Sequence, residues 1–183
     1  MRKTLLCTLL LFATSLFAMA EKQPKAERVI SDAKAKAAAE HKAIFLIFGA
    51  SWCPECHTLD TFLKDPQVAA IFDKYFVIAQ LSVAEDLAGH AERNNEGSIG
   101  LLQKYGGVSS SGEVGLPYFV VLDSKGSALI TSNRGGKGKD PSQAIGFPTE
   151  PDEIAWFLQM LKRGADALTP DEAQLIEDKL KKA

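Results

Sequence analysis

The chain is poor in cysteine, with only Cys7, Cys53 and Cys56 among 183 residues. Small secreted domains that depend on disulfides for stability carry many cysteines. A bridge between Cys53 and Cys56 closes almost no loop, so it removes little entropy from the unfolded chain. The composition therefore excludes a disulfide-stapled scaffold, and the close cysteine pair indicates chemistry instead.

Long apolar runs are missing beyond the N-terminus. Leu5–Phe17 is almost wholly apolar but shorter than the roughly 20 residues that span a bilayer. Arg2 and Lys3 precede this run, and Ala18-Met19-Ala20 follows it as a small-x-small cleavage site. The order is typical of a secretory signal peptide. We expect export, with the periplasm favoured over the cell exterior, and no stable membrane insertion once residues 1–20 are removed.

A strong excess of either charge is also absent. The chain has 21 basic and 23 acidic side chains, for a formal net charge of −2. Loss of residues 1–20, which hold two basic and no acidic side chains, makes the net charge −4. This mild acidity gives no reason to expect nucleic acid or an anionic membrane as a partner. Cys7 leaves with the signal peptide, so the mature chain keeps only the C-x-x-C pair.

Hydrophobic patterning predicts one α/β domain. The continuous apolar runs 43–48 and 118–122 are typical of strands buried on both faces. Further strands are expected at 76–83 and 127–132. Six helices are predicted: two cover 27–42 and 98–105, and the other four begin at Cys53, at Pro66, after Thr149 and after Thr169. The segment 84–95 is polar and irregular, and 133–148 is predicted as an exposed loop. A strand–helix–strand half followed by two strands and a helix predicts one mixed sheet with helices on both faces.

The chain divides by composition into four parts. Residues 1–20 are the signal peptide and 21–42 an N-terminal helical extension. Residues 43–165 form the α/β domain, and 166–183 a C-terminal helix. The last two helices each have cap signals: Thr149 with Asp152 resembles a capping box, and Thr169-Pro170 with Glu172 opens the final helix.

The sequence around the cysteine pair favours disulfide exchange. Cys53 follows a buried strand and begins a helix, where free backbone N–H groups and the helix dipole stabilise a thiolate. Cys56 lies one turn deeper on the same face, a spacing that suits attack by Cys53 and resolution by Cys56. Pro54 is tolerated in the first turn. Glu55 should disfavour negative charge on Cys53, which makes that thiol less acidic.

Residues 49–57 (GASWCPECH) resemble the W-C-x-x-C active site of the thioredoxin superfamily. KYGGV at 104–108 and GLPYFVVLDSKG at 115–126 resemble the stretch that leads to this family's cis-proline strand and its hairpin. The resemblance covers about 43–161. It implies a thioredoxin-like three-layer α/β/α sandwich with a mixed central sheet, here with extra N- and C-terminal helices. It also implies that the protein is a thiol–disulfide oxidoreductase that needs no cofactor or metal.

The resemblance also assigns roles to residues. Cys53 is then the nucleophile and Cys56 the resolving cysteine. Pro117 is the cis-proline that faces the pair, and the backbone of Leu116 pairs with substrate. Trp52 is the aromatic residue packed beside the site, and with Pro54 and Glu55 it supports the active site. The implied partners are protein thiols and disulfides and, for an exported reductase, a membrane-bound redox partner.

Three features depart from the family pattern. Ile47 stands where the best-known reductases of the family carry a buried acid, so the proton acceptor for Cys56 is missing or comes from another group. The segment Gly106–Gly115 is longer than the usual link, and Ser109-Ser110-Ser111 is a candidate rim that selects partners. A helix at Glu27–Lys42 replaces the family's N-terminal strand.

Two other kinds of function remain open at this point. Cys53-Pro54-Glu55-Cys56-His57 also fits the C-x-x-C-H attachment motif of c-type haem, with His57 and Met160 or another histidine as axial ligands. The apolar strand before the motif argues against haem, and three adjacent ligands are too few for structural zinc. His57 is then a solvent-facing helix residue.

The other possibility is a binding module of the same fold, in which the cysteines are chemically inert.

Overall fold

The computed structural model describes residues 23–134 and 144–183, so the predicted signal peptide lies outside the described residues. In chain order the elements are α1 (Ala26–Glu40), β1 (Ala43–Gly49), α2 (Pro54–Lys64), α3 (Pro66–Tyr75), β2 (Phe76–Ser82), two 3₁₀ turns (Glu85–Ala88 and Ala91–Arg93), α4 (Ser98–Lys104), β3 (Tyr118–Leu122), β4 (Ala128–Thr131), α5 (Pro151–Gly164) and α6 (Pro170–Leu180). Within these two ranges no helix combines the length and the apolar content needed to cross a bilayer.

The sheet is mixed, and its strand order is β2-β1-β3-β4. β1 pairs in parallel with β2 and antiparallel with β3, and β4 pairs antiparallel with β3 at the edge. The central strands β1 and β3 are buried along almost their whole length. Their continuous apolar sequences are therefore explained, because helices cover both faces of the sheet.

Two apolar cores lie on opposite faces of the sheet. Alternate residues of β1 point to opposite faces: Phe45 and Ile47 join the core under α2, α3, α5 and α6, whereas Ile44 and Leu46 join the core under α1 and α4. The three-layer α/β/α sandwich with a mixed sheet is thus confirmed. The helix that replaces an N-terminal strand is present as α1.

Aromatic rings fill the larger core. Phe45 lies at its centre, with ring centroids 5.2 Å from Phe72, 5.5 Å from Phe119 and 5.9 Å from Phe157. The contacts with Phe72 and Phe157 are edge-to-face and that with Phe119 is stacked, and aromatic pairs of these kinds each add about 0.5–1.5 kcal/mol beyond the area they bury. This core ties α3 and α5 to β1 and so fixes the strand that leads to Cys53.

The cap of α5 differs from the prediction. A capping box at Thr149 and Asp152 was expected, but the helix begins at Pro151 with Glu150 as its N-cap. The Glu153 carboxylate accepts the backbone N–H groups of Thr149 and Glu150, at 3.1 and 3.2 Å. Proline takes the first helical position because it has no N–H to leave unpaired, and this shifts the cap by one residue.

The prediction that 133–148 is an exposed loop is wrong for its described ends. Asn133, Ile145 and Phe147 are all buried, and residues 135–143 lie outside the described residues. The Phe147 ring packs against Phe62 of α2 with centroids 5.9 Å apart. The apolar residues of this segment are buried despite its many glycine, lysine and proline residues, because Phe147 packs against α2.

Candidate active site

The junction between β1 and α2 places Cys53. β1 ends at Gly49, a short turn follows, and α2 begins at Pro54 with Cys53 as its N-cap residue. The Cys53 sulfur accepts the backbone N–H of Cys56 at 3.2 Å. A sulfur in the N-cap position faces the unpaired N–H groups and the positive end of the helix dipole, which favour a thiolate there.

Cys53 and Cys56 form a disulfide, and their Cα atoms are 5.3 Å apart. Both residues are buried, and they pack with Ala50 and the partly buried Leu116. The pair therefore sits one helical turn apart, as the spacing predicts, with the side chain of Leu116 against it.

Leu116 and Pro117 immediately precede β3, and the peptide bond between them is cis. Pro117 is buried and Leu116 is half-buried. The next residue, Tyr118, is fully buried, and its hydroxyl donates to the Tyr105 carbonyl at 2.7 Å. Burial raises the pKa of the Tyr118 phenol, so the hydroxyl stays neutral and keeps donating. This bond holds the start of β3 beside the disulfide.

Trp52 lies at the surface next to the disulfide, with 38% of its area exposed. Its indole Nε1 donates to the Ala84 carbonyl at 2.8 Å. Ala84 is one of the few non-glycine residues with a positive φ, 58°. The indole is therefore held in orientation at the surface beside Cys53.

Glu85 is a site residue that the sequence analysis missed. It is only 2% exposed. One carboxylate oxygen accepts the Ser51 backbone N–H at 2.7 Å, and the other accepts the Ser51 hydroxyl at 2.6 Å. The Glu85 backbone N–H donates in turn to the Asn94 side chain at 3.0 Å. Glu85 thus fixes the turn that carries Cys53.

His57 is exposed on α2, in agreement with its prediction as a solvent-facing helix residue. Its Nε2 lies 2.8 Å from the Ser51 carbonyl oxygen. Ser51 is therefore held from two sides, by His57 at its carbonyl and by Glu85 at its N–H and hydroxyl. The turn before Cys53 is rigid because three separate polar contacts fix a single residue.

Glu55 contacts the end of the 133–148 segment. Its carboxylate accepts the Phe147 backbone N–H at 3.0 Å. Gly146 has a positive φ of 55°, and a Cβ there would collide with the Glu55 carboxylate. Glycine at 146 allows the close approach of backbone and carboxylate. Pro54, the other predicted supporting residue, occupies the first position of α2 and is exposed.

A cavity of about 270 Å³ lies behind the disulfide. Cys56 lines it from α2, and Ile47 lines it from β1 where the family pattern has an acid. Asp60 and Glu85 also line it. The buried acid that lines this cavity together with Cys56 therefore comes from the first 3₁₀ turn, not from β1.

The described residues contain no group of three His, Cys, Asp or Glu side chains that would hold a metal ion. Met160, a candidate haem ligand from the sequence, is fully buried in the core on α5. Its sulfur packs in the cluster with Phe157 and Leu161 instead of facing the surface where His57 lies.

The sequence matches the model of one known protein family. A family model described as thioredoxin-like matches residues 25–124, more than half of the chain. The chain belongs to this thioredoxin-like family. A search of curated proteins finds no match.

The chain is also similar to several solved structures, and the first of these, with a TM-score above 0.5, shares the fold. A disulphide isomerase from Xylella fastidiosa Temecula1 is 26% identical, with a TM-score of 0.52, and the alignment covers 75% of this chain and 91% of that one. A structure named DsbH Oxidoreductase is 18% identical, with a TM-score of 0.46 and coverage of 85% and 95%. A thioredoxin from Thermus thermophilus is 21% identical, with a TM-score of 0.38 and coverage of 74% and 87%.

Proposed function

We propose that this chain is a thiol–disulfide oxidoreductase that acts on protein disulfides in the cell envelope. The observation that carries the proposal is the Cys53–Cys56 pair at the N-terminus of α2, packed against Leu116. The disulphide isomerase of Xylella fastidiosa, at 26% identity, supports exchange chemistry for this arrangement. The direction of electron flow depends on reduction potentials, which the geometry does not fix.

In the reducing direction the exchange has two steps. The Cys53 thiolate attacks a substrate disulfide, and a mixed disulfide forms while one substrate thiolate leaves. The Cys56 thiol then loses its proton and attacks the Cys53 sulfur, which releases the second substrate thiolate. Two electrons pass from the cysteine pair to the substrate, and the pair ends as the disulfide. A dithiol donor must then reduce it, and we propose a membrane-bound redox partner for that task.

A groove beside the cysteine pair supports a protein substrate. This docking groove, of about 910 Å³, is lined by Trp52, Leu87, Ile99 and Val114 together with polar residues. Leu87 is 69% exposed and Ile99 49%, so two large apolar side chains face solvent there. Trp52 directly precedes Cys53 in the chain, and Val114 lies two residues before Leu116, so the groove reaches the site. An extended chain that carries the substrate disulfide would cover these apolar groups and gain about 25 cal/mol per Å².

The N-terminus supports the envelope location. Residues 1–20 combine a basic start, a short apolar run and an Ala-x-Ala end. Expression of the full chain with a C-terminal tag, followed by mass spectrometry of the envelope fraction, tests this part. The expected product begins at Glu21. A full-length product confined to the cytoplasm would contradict the location and leave the chemistry intact.

The activity itself is tested with Cys53→Ser and Cys56→Ser. We expect Cys53→Ser to abolish reduction of a protein disulfide, because no attacking thiolate remains. Cys56→Ser should accumulate a mixed disulfide through Cys53, visible as an added mass on denaturing gels without reductant. Full activity of Cys53→Ser would overturn the assignment and favour a binding module.

A further inference from the structure

Glu85 is an isolated buried acid beside the redox pair. Both of its carboxylate oxygens accept hydrogen bonds from Ser51, one from the backbone N–H and one from the hydroxyl. No Lys, Arg or His side chain of residues 23–134 and 144–183 pairs with it. A buried carboxylate without a cation is costly. The burial of Glu85 is therefore better explained by a functional role than by a contribution to stability.

The cavity behind the disulfide connects Glu85 to Cys56. Both residues line it, together with the titratable side chains of His57 and Asp60. At about 270 Å³ it is large enough to admit water, whose share of liquid volume is roughly 30 Å³ per molecule. The cavity thus offers a proton a route between Cys56 and Glu85 that could hold water.

We propose that Glu85 is the proton acceptor for Cys56 in the second exchange step, an inference that rests on the proposed function. The Cys56 S–H bond breaks, and its proton passes through cavity water to the Glu85 carboxylate. The Cys56 thiolate then attacks the Cys53 sulfur, and the Cys53–Cys56 bond forms. The substrate leaves as a thiolate and takes a proton from solvent. In the reverse direction the Glu85 carboxylic acid returns the proton to Cys56.

The other ionisable groups near the cavity are less suited to this task. Asp60 is half-buried and accepts the Gln80 amide at 3.1 Å, and His57 is exposed with Nε2 against the Ser51 carbonyl. Asp86 and His90 adjoin Glu85, and the His90 backbone N–H donates to the Glu85 carbonyl at 3.0 Å. Of these residues only Glu85 lines the cavity, is buried and has its carboxylate fixed in orientation by two hydrogen bonds. A group that accepts a proton must be held in a fixed position relative to the donor.

The experiment uses the reduced mature protein and 5,5′-dithiobis(2-nitrobenzoate) in a stopped-flow instrument. Attack by Cys53 releases a first thionitrobenzoate, and attack by Cys56 releases a second, so the two steps give separate phases. Glu85→Gln should slow the second phase about tenfold or more at pH 6–7. The first phase should stay within about twofold. The second phase should recover at high pH, where solvent removes the Cys56 proton.

Two variants control for structural effects. Glu85→Asp keeps a carboxylate and should restore most of the second-phase rate. Asp60→Asn removes the other cavity carboxylate and should leave both phases unchanged. An unchanged second phase in Glu85→Gln across pH 5–9, or equal slowing in Asp60→Asn, would overturn the proposal. Release of only one thionitrobenzoate by the wild type would instead overturn the proposed function.

A measurement on the wild type covers the case in which Glu85→Gln does not fold. Carboxyl ¹³C NMR of glutamate-labelled protein follows the titration of Glu85 in the dithiol and the disulfide states. Proton exchange with Cys56 predicts a different titration of Glu85 in the two states. Identical titration curves in both states would contradict the proposal.

Discussion

The Glu55 carboxylate accepts the backbone N–H of Phe147 at 3.0 Å, which ties the active-site helix to a segment 92 residues further along the chain. The contact is close because residue 146 is glycine with φ of 55°. Phe147 also packs on Phe62 of the same helix. The first turn of α2, where Cys53 lies, is therefore held in place by a polar bond and by an aromatic contact.

Gly146→Ala should destabilise the fold more than glycine-to-alanine changes at other left-handed positions. The added Cβ would displace the flexible Glu55 carboxylate from the Phe147 N–H, and it also sits at a positive φ, which costs an L-residue about 1–2 kcal/mol. Gly112 has φ of 86° and nothing near its Cβ position, so Gly112→Ala reports the backbone cost alone. We expect Gly146→Ala to cost about 1 kcal/mol more than Gly112→Ala in urea unfolding.

The cause of that difference is tested in a Glu55→Ala background. There the collision is absent, so the cost of Gly146→Ala should fall to near that of Gly112→Ala. An undiminished cost would show that Glu55 is not the neighbour that requires glycine at 146.

Glu55→Gln should make Cys53 easier to ionise. Glutamine keeps an oxygen for the Phe147 N–H but removes a negative charge two residues from Cys53. The pH midpoint of Cys53 alkylation by iodoacetamide should therefore fall by about half a unit. Glu27→Gln, an exposed position on α1, should leave the midpoint unchanged. An unchanged midpoint in Glu55→Gln would show that the Glu55 charge does not affect Cys53 ionisation. Glu55 would then act only through its contact with Phe147.

The docking groove should matter for protein substrates and not for small ones. Leu87→Ser combined with Ile99→Ser removes two exposed apolar groups. We expect kcat/KM for a protein disulfide to fall about five- to tenfold, since each tenfold step corresponds to about 1.4 kcal/mol of lost contact. Rates with a small aromatic disulfide should not change. Leu129→Ser, on the edge strand β4 outside the groove, is the matched control. Equal losses for both substrates would point to misfolding of the site.

Acid stability should depend on Glu172. Its carboxylate binds the Lys74 ammonium at 2.8 Å and the Tyr75 hydroxyl at 2.7 Å, and the Lys74 bond is the main cause that lowers the pKa of Glu172 from 4.5 to about 2. A lowered folded-state pKa means that the stabilisation is complete above pH 4.5 and is lost as the pH falls toward 2.

This loss is measured by urea unfolding at pH 6 and pH 3. The wild type should lose about 1 kcal/mol more than Glu172→Gln over this interval, a modest figure because solvent screens the pair. Asp171→Asn, one residue earlier in α6, should behave like the wild type. Parallel pH profiles for wild type and Glu172→Gln would contradict the assignment.

The sequence predicts most of the sheet because its central strands are buried on both faces. Continuous apolar runs mark β1 and β3 directly, and Cys53 follows β1 at the start of a helix as expected. Pro66 also marks the start of α3, and Thr169 caps α6 as predicted. These signals are local in the sequence, so they can be recognised without knowledge of the tertiary structure.

Glu85 and Phe147 illustrate what local patterns miss. Glu85 lies in a polar segment that looks solvated, and it is buried only because the 3₁₀ turn folds back onto the Ser51 turn. Phe147 follows a glycine- and lysine-rich stretch, and its burial depends on the surface that α2 presents. Both contacts join residues distant in sequence, and no periodicity within one segment encodes them.

The most direct test of the account is a redox titration of the mature protein, with free thiols counted by alkylation and mass spectrometry. We predict a single two-electron couple in which Cys53 and Cys56 pass together between dithiol and disulfide, with a slope of about 30 mV per tenfold change in the equilibrium constant. Cysteines that stay in one state across the range, or that carry a covalently bound porphyrin with its visible absorbance, would contradict the account.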